Sequence, residues 1–271
     1  MNNISTSELS LSIVSHNHAQ LMRRLLIQLN DQPSLFGMRV VVTLNVFVEE
    51  FDPTHFESLN ITIIRNKNPK GFGANHNAAF ELCDTKWFGI LNPDLLLVGN
   101  EPFTVMLERC LTERCLRNIG LIAPRVVAQN MCIEDSVRSN LTPWSVIQRA
   151  IKRGNNERSY LTIQNRSAFF WVAGMCMLVR AESFRSVGGF DERYFLYCED
   201  YDLCARLYNA GWSIRLDDKS VVMHEAQRDS RRNITHLLMH LNSLIKVWLS
   251  LSFWRVTFTN YKKLLNTFFK K

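Results

Sequence analysis

The chain has 271 residues, 46% hydrophobic and 21% charged, with a formal net charge of +7; this composition excludes a disordered chain, a collagen-like repeat and a disulfide-rich miniprotein. The charge is uneven, because residues 228–271 hold nine Lys or Arg against a single acid, Asp229, and carry +8 while the preceding body carries −1. A near-neutral body and the lack of a recognised motif exclude a nucleic-acid-binding protein, although the total charge alone invites one.

In chain order, Leu9–Val14 reads as a buried strand ending at Ser15-His16-Asn17. Ala19–Leu29 has helical spacing, with Leu21, Leu25, Leu26 and Leu29 on its apolar side. Arg39–Val48 is β-rich, Ile61–Ile64 is a short strand, and a loop over Arg65–Gly73 leads to a helix over Ala74–Cys83. Trp87–Leu91 is a further strand closed by Asn92-Pro93-Asp94, and Pro102–Leu116 reads as a helix. Strands alternating with helices through short loops predict an α/β domain with a mostly parallel sheet. Arg125–Arg166 is polar and poorly periodic and yields no assignment. Beyond it, Ala168–Val179 is apolar and β-like, and Arg180–Val187 is helical up to Gly188-Gly189. Glu199–Ala210 is a helix ending at Gly211, a residue suited to closing it. Trp212–Arg215 and Ser220–Met223 read as short strands, and the chain is helical from Thr235.

Seven cysteines occur without a C-x-x-C pair. An odd number without that spacing argues against a disulfide framework or a structural zinc site, and a reducing cytosol is the simplest compartment. Met1–Glu8 is polar, so no signal peptide is expected. The longest clean apolar run, Phe169–Val179, is too short to span a bilayer.

Four constellations could carry chemistry. Asn92-Pro93-Asp94 follows a strand, where ligands of open α/β sheets bind and where a carboxylate can hold a divalent cation. Taken alone, it is better read as an ordinary turn. Cys198-Glu199-Asp200-Tyr201-Asp202 places three acids at a helix start, which the helix dipole favours, yet three exceed what capping needs. A general base among them is the sharper reading. Gly71-Phe72-Gly73 enters a helix that Asn77 continues, although a plain loop is the better reading of that segment in isolation. His224 follows a strand and could join Asp94 at a metal only if the two strand ends converge.

Taken in order, these segments resemble the family 2 glycosyltransferases, the inverting group with the GT-A fold, and most of all their bacterial rhamnosyltransferase-like branch. The resemblance rests on Ser12–Asn17, Gly71–Gly73 with Asn77, Leu91–Asp94, Trp171–Gly174, Val187–Asp191, Phe195–Leu207, Gly211-Trp212 and His224, and covers roughly residues 9 to 225. It implies that Asp94 binds metal, with His224 near it, and that the cofactor is Mg²⁺ or Mn²⁺. It implies that Asp200 is the general base, supported by Glu199 and Asp202. Ser15, Asn17, Asn45, Gly71, Phe72, Gly73, Asn77 and Asn92 fall on the nucleotide-sugar side, and Trp171, Gly174, Gly189 and Phe190 on the acceptor side. One departure stands out. The family's second strand ends in an Asp that helps to read the pyrimidine base, and Leu44 stands there in Val42-Thr43-Leu44-Asn45-Val46. Asn45, Glu49, Glu50 or backbone groups remain to substitute for it.

By this resemblance the chain is expected to move a sugar, with L-rhamnose from dTDP-rhamnose as first choice, onto a lipid-linked (polyprenyl diphosphate) glycan in O-antigen synthesis. The alternatives are the same chemistry with another nucleotide sugar, or a non-catalytic relative that binds a sugar nucleotide or scaffolds an assembly. Residues 1–225 form the expected transfer domain and 226–271 a basic amphipathic tail. Leu237, Leu238, Leu241, Leu244, Ile245, Trp248 and Leu249 keep helical spacing, continued by Trp254, Phe258, Tyr261, Leu264, Leu265, Phe268 and Phe269. That face either packs on the domain or another subunit, or lies on the inner face of the cell membrane, whose anionic lipids attract Lys and Arg. No nucleic acid is expected as partner, and an oligomer is possible.

Overall fold

The computed structural model describes residues 8–46, 48–99, 102–112, 118–151, 169–225 and 234–268. Ten strands are present: β1 Leu9–Ser15, β2 Met38–Leu44, β3 Leu59–Arg65, β4 Trp87–Leu91, β5 Leu95–Val98, β6 Ile119–Val127, β7 Val137–Ser139, β8 Phe170–Val172, β9 Cys176–Arg180 and β10 Ser213–His224. The helices are α1 Ala19–Asn30, α2 Phe72–Phe80, α3 Pro102–Thr112, α4 Pro143–Ile151, α5 Ala181–Ser186, α6 Glu199–Asn209, α7 Ile234–Leu249 and α8 Leu251–Phe268. Eight strands form one sheet in the order β3-β2-β1-β4-β9-β6-β10-β5, and β7 pairs with β8 in a small second sheet. The β1–β2, β2–β3, β1–β4 and β6–β10 pairs are parallel. The β4–β9, β6–β9 and β5–β10 pairs are antiparallel.

Every residue of β4 is buried, and β1 is nearly so, as expected of strands covered on both faces. Side-chain alternation then sends neighbours to opposite layers. Val40 and Val42 enter one core with Leu11, Ile13 and the inner side of α1, whereas Val41 enters the other with Ile90, Met177 and Phe184. Tyr201, Leu244, Val247, Phe253 and Val256 also belong to that second core, so α6, α7 and α8 share it. β2 and β4 lie on either side of β1. The chain order therefore reverses at β1, and a crevice opens beyond the carboxyl ends of β1 and β4.

Most expected elements are present, with instructive departures. The apolar stretch Ala168–Val179 is not one strand but two, β8 and β9, broken at Ala173-Gly174-Met175, because its halves pair with different sheets. Trp212–Arg215 and Ser220–Met223 belong to one strand, β10, which keeps parallel pairing to β6 across a shift between Asp217 and Val221. Asp217 stabilises that irregularity by accepting from Ser220 Oγ (2.7 Å) and pairing with Arg109. β2 ends at Leu44 rather than Val48, and β5 was hidden by its four-residue length. The unassigned stretch Arg125–Arg166 supplies the end of β6, all of β7 and α4, with residues 152–168 outside the described ones. The tail forms two helices, broken at Ser250. The side chains of Lys263, Leu264, Leu265 and Phe268, like residues 113–117, 226–233 and 269–271, lie outside the described part.

Phe184 is fully buried behind the crevice and touches the rings of Phe80 (4.7 Å between centroids), Phe88 (5.7 Å) and Phe190 (5.7 Å). Phe184→Ala should cost about 3–5 kcal/mol in urea unfolding, as a large aromatic deletion does; a loss below 1 kcal/mol would contradict this packing.

Candidate active site

The first half of the site is the turn after β4. Asn92 donates its backbone N–H to the Met175 carbonyl (2.9 Å), and Leu95 donates to the Asn92 carbonyl (3.4 Å). This turn and the reversal into β5 carry Asp94 to the end of β10, where Glu225 N–H donates to the Asp94 carbonyl (3.0 Å). The two strand ends do converge: Asp94 Oδ2 lies 3.3 Å from His224 Nε2. Burial pulls the His224 pKa down, but the hydrogen bond and charge of Asp94 outweigh it and hold the imidazole above its ordinary value.

Asp94 Oδ1 and His224 Nδ1 are both buried without a hydrogen-bond partner. Orphaned acceptors of this kind suit a bound cation. Among the described residues no third His, Cys, Asp or Glu completes a metal cage. One carboxylate and one imidazole fit a divalent ion whose remaining ligands are phosphate oxygens and water.

The second half is the start of α6. Tyr197 and Cys198 both take left-handed backbone (φ 71° and 65°), so the chain turns sharply into Glu199. Two non-glycine residues in that region persist only where surroundings hold them. The phenol of Tyr197 bonds His236 Nδ1 (2.9 Å), and Ser243 Oγ donates to the Leu196 carbonyl (2.9 Å), so α7 fastens the bend.

Asp200 Oδ2 accepts from Gly174 N–H (3.1 Å), and Oδ1 accepts from Tyr201 N–H (2.8 Å). Gly174 is closely packed: a Cβ there would meet the Phe72 ring at 3.1 Å and Asp200 Cβ at 3.9 Å. Burial raises the Asp200 pKa, while the Arg138 guanidinium and the N–H groups of Gly174 and Tyr201 oppose the rise. Glu199 is only 5% exposed, and its Oε2 has no partner. Burial and then the neighbouring Asp200 push its carboxyl well above the glutamate range. Two adjacent carboxyls of unequal hydrogen bonding share charge unequally. The donors gather on Asp200, which favours charge on Asp200 over Glu199.

Several resemblance-implied site residues have other partners. Asp202 faces away from Gly174, pairing with Arg206 Nε (2.6 Å) and accepting from Ser252 Oγ (3.3 Å). Arg206 in turn donates to the carbonyls of Val187 (2.6 Å) and Gly189 (2.7 Å), so Asp202 anchors a loop rather than Asp200. Asn77 is spent on Phe190, giving to its carbonyl (2.9 Å) and accepting from its N–H (2.8 Å), and on Glu192 (3.0 Å). Its amide fastens α2 to the 189–190 loop. Trp171 and Phe190 are each 2% exposed, so neither ring offers an open wall. Trp171 packs on Tyr201 and donates to the Ser139 carbonyl (2.9 Å), and Phe190 packs on Gly73 and Phe72. Gly189 has φ 68° and leaves room for Asn77, while Gly71 permits Phe72 N–H to reach the Phe195 carbonyl (2.9 Å).

At the ends of β1 and β2 an amide network frames the crevice. Asn45 accepts from Asn66 Nδ2 (2.8 Å) and Lys70 N–H (2.8 Å), and donates to the Lys70 carbonyl (2.9 Å). Leu44 is buried in the core, so no side chain projects from that position into the crevice. The buried Glu49 carboxylate stands there instead, accepting from the Ser15 hydroxyl and from Asn17 N–H (3.2 Å), with Asn17 at φ 64°. Arg138, which lies over the Trp171 ring at 4.9 Å and acts on Asp200, escaped sequence reasoning. It falls in the aperiodic stretch and carries no local signal.

A family profile described as "Glycosyltransferase like family 2" matches residues 35–237. The chain belongs to that family. An N-acetylglucosaminyl-diphospho-decaprenol L-rhamnosyltransferase of Mycobacterium tuberculosis is 47% identical over 102 residues, 37% of this chain and 30% of that relative. The match therefore spans less than a third of that relative's length. Rhamnosyltransferase WbbL of Escherichia coli (strain K12) is 26% identical over 236 residues, covering 81% of this chain and 84% of WbbL. Among solved structures, mannosyltransferase PcManGT from Pyrobaculum calidifontis, in complex with GDP-Man and Mn²⁺, aligns with TM-score 0.55 at 14% identity, over 88% of this chain and 64% of that one. GalNAc-T7 with UDP, GalNAc and Mn²⁺ aligns with TM-score 0.58 at 13% identity, over 82% and 44% respectively. These likenesses show the fold, which is GT-A.

The charge arrangement of this family 2 member has a measurable sign. Glu199 has its folded-state pKa raised, so the folded state binds the proton more tightly than the unfolded state. Its stability term is therefore most favourable below the unfolded pKa and declines as pH rises toward the folded one. Glu199→Gln removes that decline. The variant should be more stable than the parent at pH 7, with the gap closing toward pH 4, in urea unfolding at each pH; a gap that widens toward acid would reverse the assignment.

Proposed function

We propose that this protein is a metal-dependent inverting glycosyltransferase that transfers L-rhamnose from dTDP-rhamnose to a lipid-linked (polyprenyl diphosphate) glycan in O-antigen synthesis. It works at the inner face of the cell membrane, with residues 1–225 as transfer domain and 226–271 as basic tail. The observation that carries the reading is the bridge through adjacent backbone groups. Gly174 N–H holds Asp200, and the next carbonyl, of Met175, holds the turn of Asp94. The segments that carry the two carboxylates are thus tied together through residues 174–175, next to a topological switch point where such sheets bind ligands. The rhamnosyltransferase names of the relatives support the sugar, and the diphospho-decaprenol name of one supports the lipid-linked acceptor.

The chemistry follows from these groups. An acceptor hydroxyl oxygen attacks the anomeric carbon as the bond from that carbon to the diphosphate oxygen breaks, and the hydroxyl proton passes to Asp200. A base held by two N–H groups, with charge favoured on it over Glu199, is fixed in position before the acceptor arrives. Asp94 and His224 would hold Mg²⁺ or Mn²⁺, which when bound neutralises charge on the leaving nucleoside diphosphate. Gly174 sets the distance between Phe72 and the base. Glu49, presented by Ser15 and Asn17, is the acceptor available to a base N–H in place of Leu44, and Asn45 holds the loop that closes over it.

The test is nucleoside diphosphate release by purified protein with Mg²⁺ or Mn²⁺, a panel of nucleotide sugars and a polyprenyl-diphosphate-linked acceptor. Asp200→Asn should lower kcat by roughly 10²–10⁴ while donor binding persists; wild-type turnover in that variant would sink the base assignment. Asp94→Ala should abolish the metal-dependent part of the thermal shift that the donor produces, since binding to the native state raises stability by mass action. An equal shift with and without metal in the parent would remove the cation from the reading.

A further inference from the structure

The inner sides of α7 and α8 are buried in the core, yet their outer sides are apolar too. On α7, Ile234, Leu237, Leu238, Leu241, Ile245 and Leu249 are exposed, the last at 80%. At about 100° per residue these six fall within one face roughly 120° wide. Ser243 and Val247 lie opposite and are buried, and Leu244 is buried at the edge of the exposed face. On α8, Leu251, Trp254, Phe258 and Tyr261 are exposed on one face, with Phe258 at 60%. Arg255 and Lys262 are exposed and border that face along one edge by helical spacing.

A helix apolar on both sides needs a second partner for its outer one. The composition of the outer face says which. Trp, Phe and Tyr interleaved with Arg and Lys are the residues that sit at the level of lipid headgroups. The cations flank the apolar stripe rather than lying opposite to it, and the segment from residue 228 carries +8. A protein partner of ordinary charge would leave those cations uncompensated at the contact, whereas an anionic lipid surface neutralises them. Among the described residues no helix is long and apolar enough to cross a membrane, so the contact is one of lying on the surface.

We propose that the outer face of α7 and α8 is a docking surface for a bilayer containing anionic lipid, and that docking sets the height of the catalytic bend above it. The inner side of α7 holds that bend: Tyr197 bonds His236, Leu196 accepts from Ser243, and Lys246 Nζ donates to the Arg193 carbonyl. The bend leads directly into Glu199 and Asp200. A single helix thus lies on the lipid with one face and carries the base-bearing loop with the other. This rests on the reading of the acceptor as lipid-linked, since only such an acceptor gives the height a purpose.

The experiment is vesicle co-sedimentation of the full chain, without donor or acceptor, on phosphatidylcholine vesicles with and without one-third phosphatidylglycerol, at low and high salt. The parent should bind the anionic vesicles and release as salt rises. Arg255→Gln with Lys262→Gln should weaken binding to anionic vesicles about thirtyfold, as loss of two surface cations implies. Leu238→Ser with Phe258→Ser should weaken binding to both vesicle types. All four side chains are exposed, so thermal midpoints should hold, and transfer to a water-soluble acceptor analogue should be unchanged while transfer to a vesicle-borne acceptor falls. Absence of parent binding, or equal binding to both vesicle types at every salt, overturns the proposal. So does a parent that is dimeric by analytical ultracentrifugation and becomes monomeric in the Ser variant with vesicle binding intact, because a second copy then covers the face. Vesicle binding with no transfer from any donor would sink the proposed activity and leave the docking surface standing; transfer without vesicle binding does the reverse.

Discussion

One hydrogen bond organises the site: Gly174 N–H to the carboxylate of Asp200. It exists because an apolar run that alternation alone would extend as a single strand is interrupted after three residues. β8 leaves to pair with β7, and β9 pairs with β4 and β6. The three residues between them have backbone groups no longer committed to a ladder, and a buried backbone group must find a partner. Ala173 gives its N–H to Ser136 (2.7 Å), Gly174 to Asp200, and the Met175 carbonyl takes the N–H of Asn92. Satisfying those groups draws the end of β4, the start of α6 and the β7 segment to one place.

The same break explains the close packing at Gly174 and the buried setting of Asp200. Asp200 lies within hydrogen-bond reach of Gly174 N–H, where an added Cβ would press on the Phe72 ring at 3.1 Å. Asp200 is buried enough for its charge to be costly, and Arg138 offsets part of that cost. Arg138 is itself placed by Trp171, whose ring it covers, and by Asp135 at 3.1 Å. Trp171 is thus linked to Asp200 through the core, by way of the guanidinium that covers its ring.

Much of this was legible in the sequence and some was not, for physical reasons. Strands buried on both faces carry only apolar or small residues, so β1 and β4 were readable to within a residue. Asp94 and His224 were readable as a pair only as a condition, because the antiparallel return of β5 against β10 brings them together and four residues of β5 leave no periodic trace. Asn77 and Asp202 carry the right residue type in the right order, but a side chain's partner is a matter of tertiary packing. One fastens α2 to a loop, and the other pairs with Arg206. Arg138 was invisible, since β7 is only three residues long and lies in polar surroundings. The amphipathic tail was visible as a pattern, and the structure divides it into an inner face that joins the core and an outer face that does not.

The two left-handed residues before α6, Tyr197 and Cys198, alter what counts as the smallest working unit of this fold. Every motif residue is in place by position 225, and a boundary drawn from motifs alone would end there. Yet the bend that aims Asp200 holds a conformation costing about 1–3 kcal/mol per residue, sustained only when its surroundings over-determine it. Those surroundings include His236 and Ser243, beyond that boundary. A fragment stopping at 225 would keep the full complement of reactive side chains and lose the brace that points them. The helix after residue 233 is thus a splint for the bend before Asp200, and the braced unit reaches past the last motif residue.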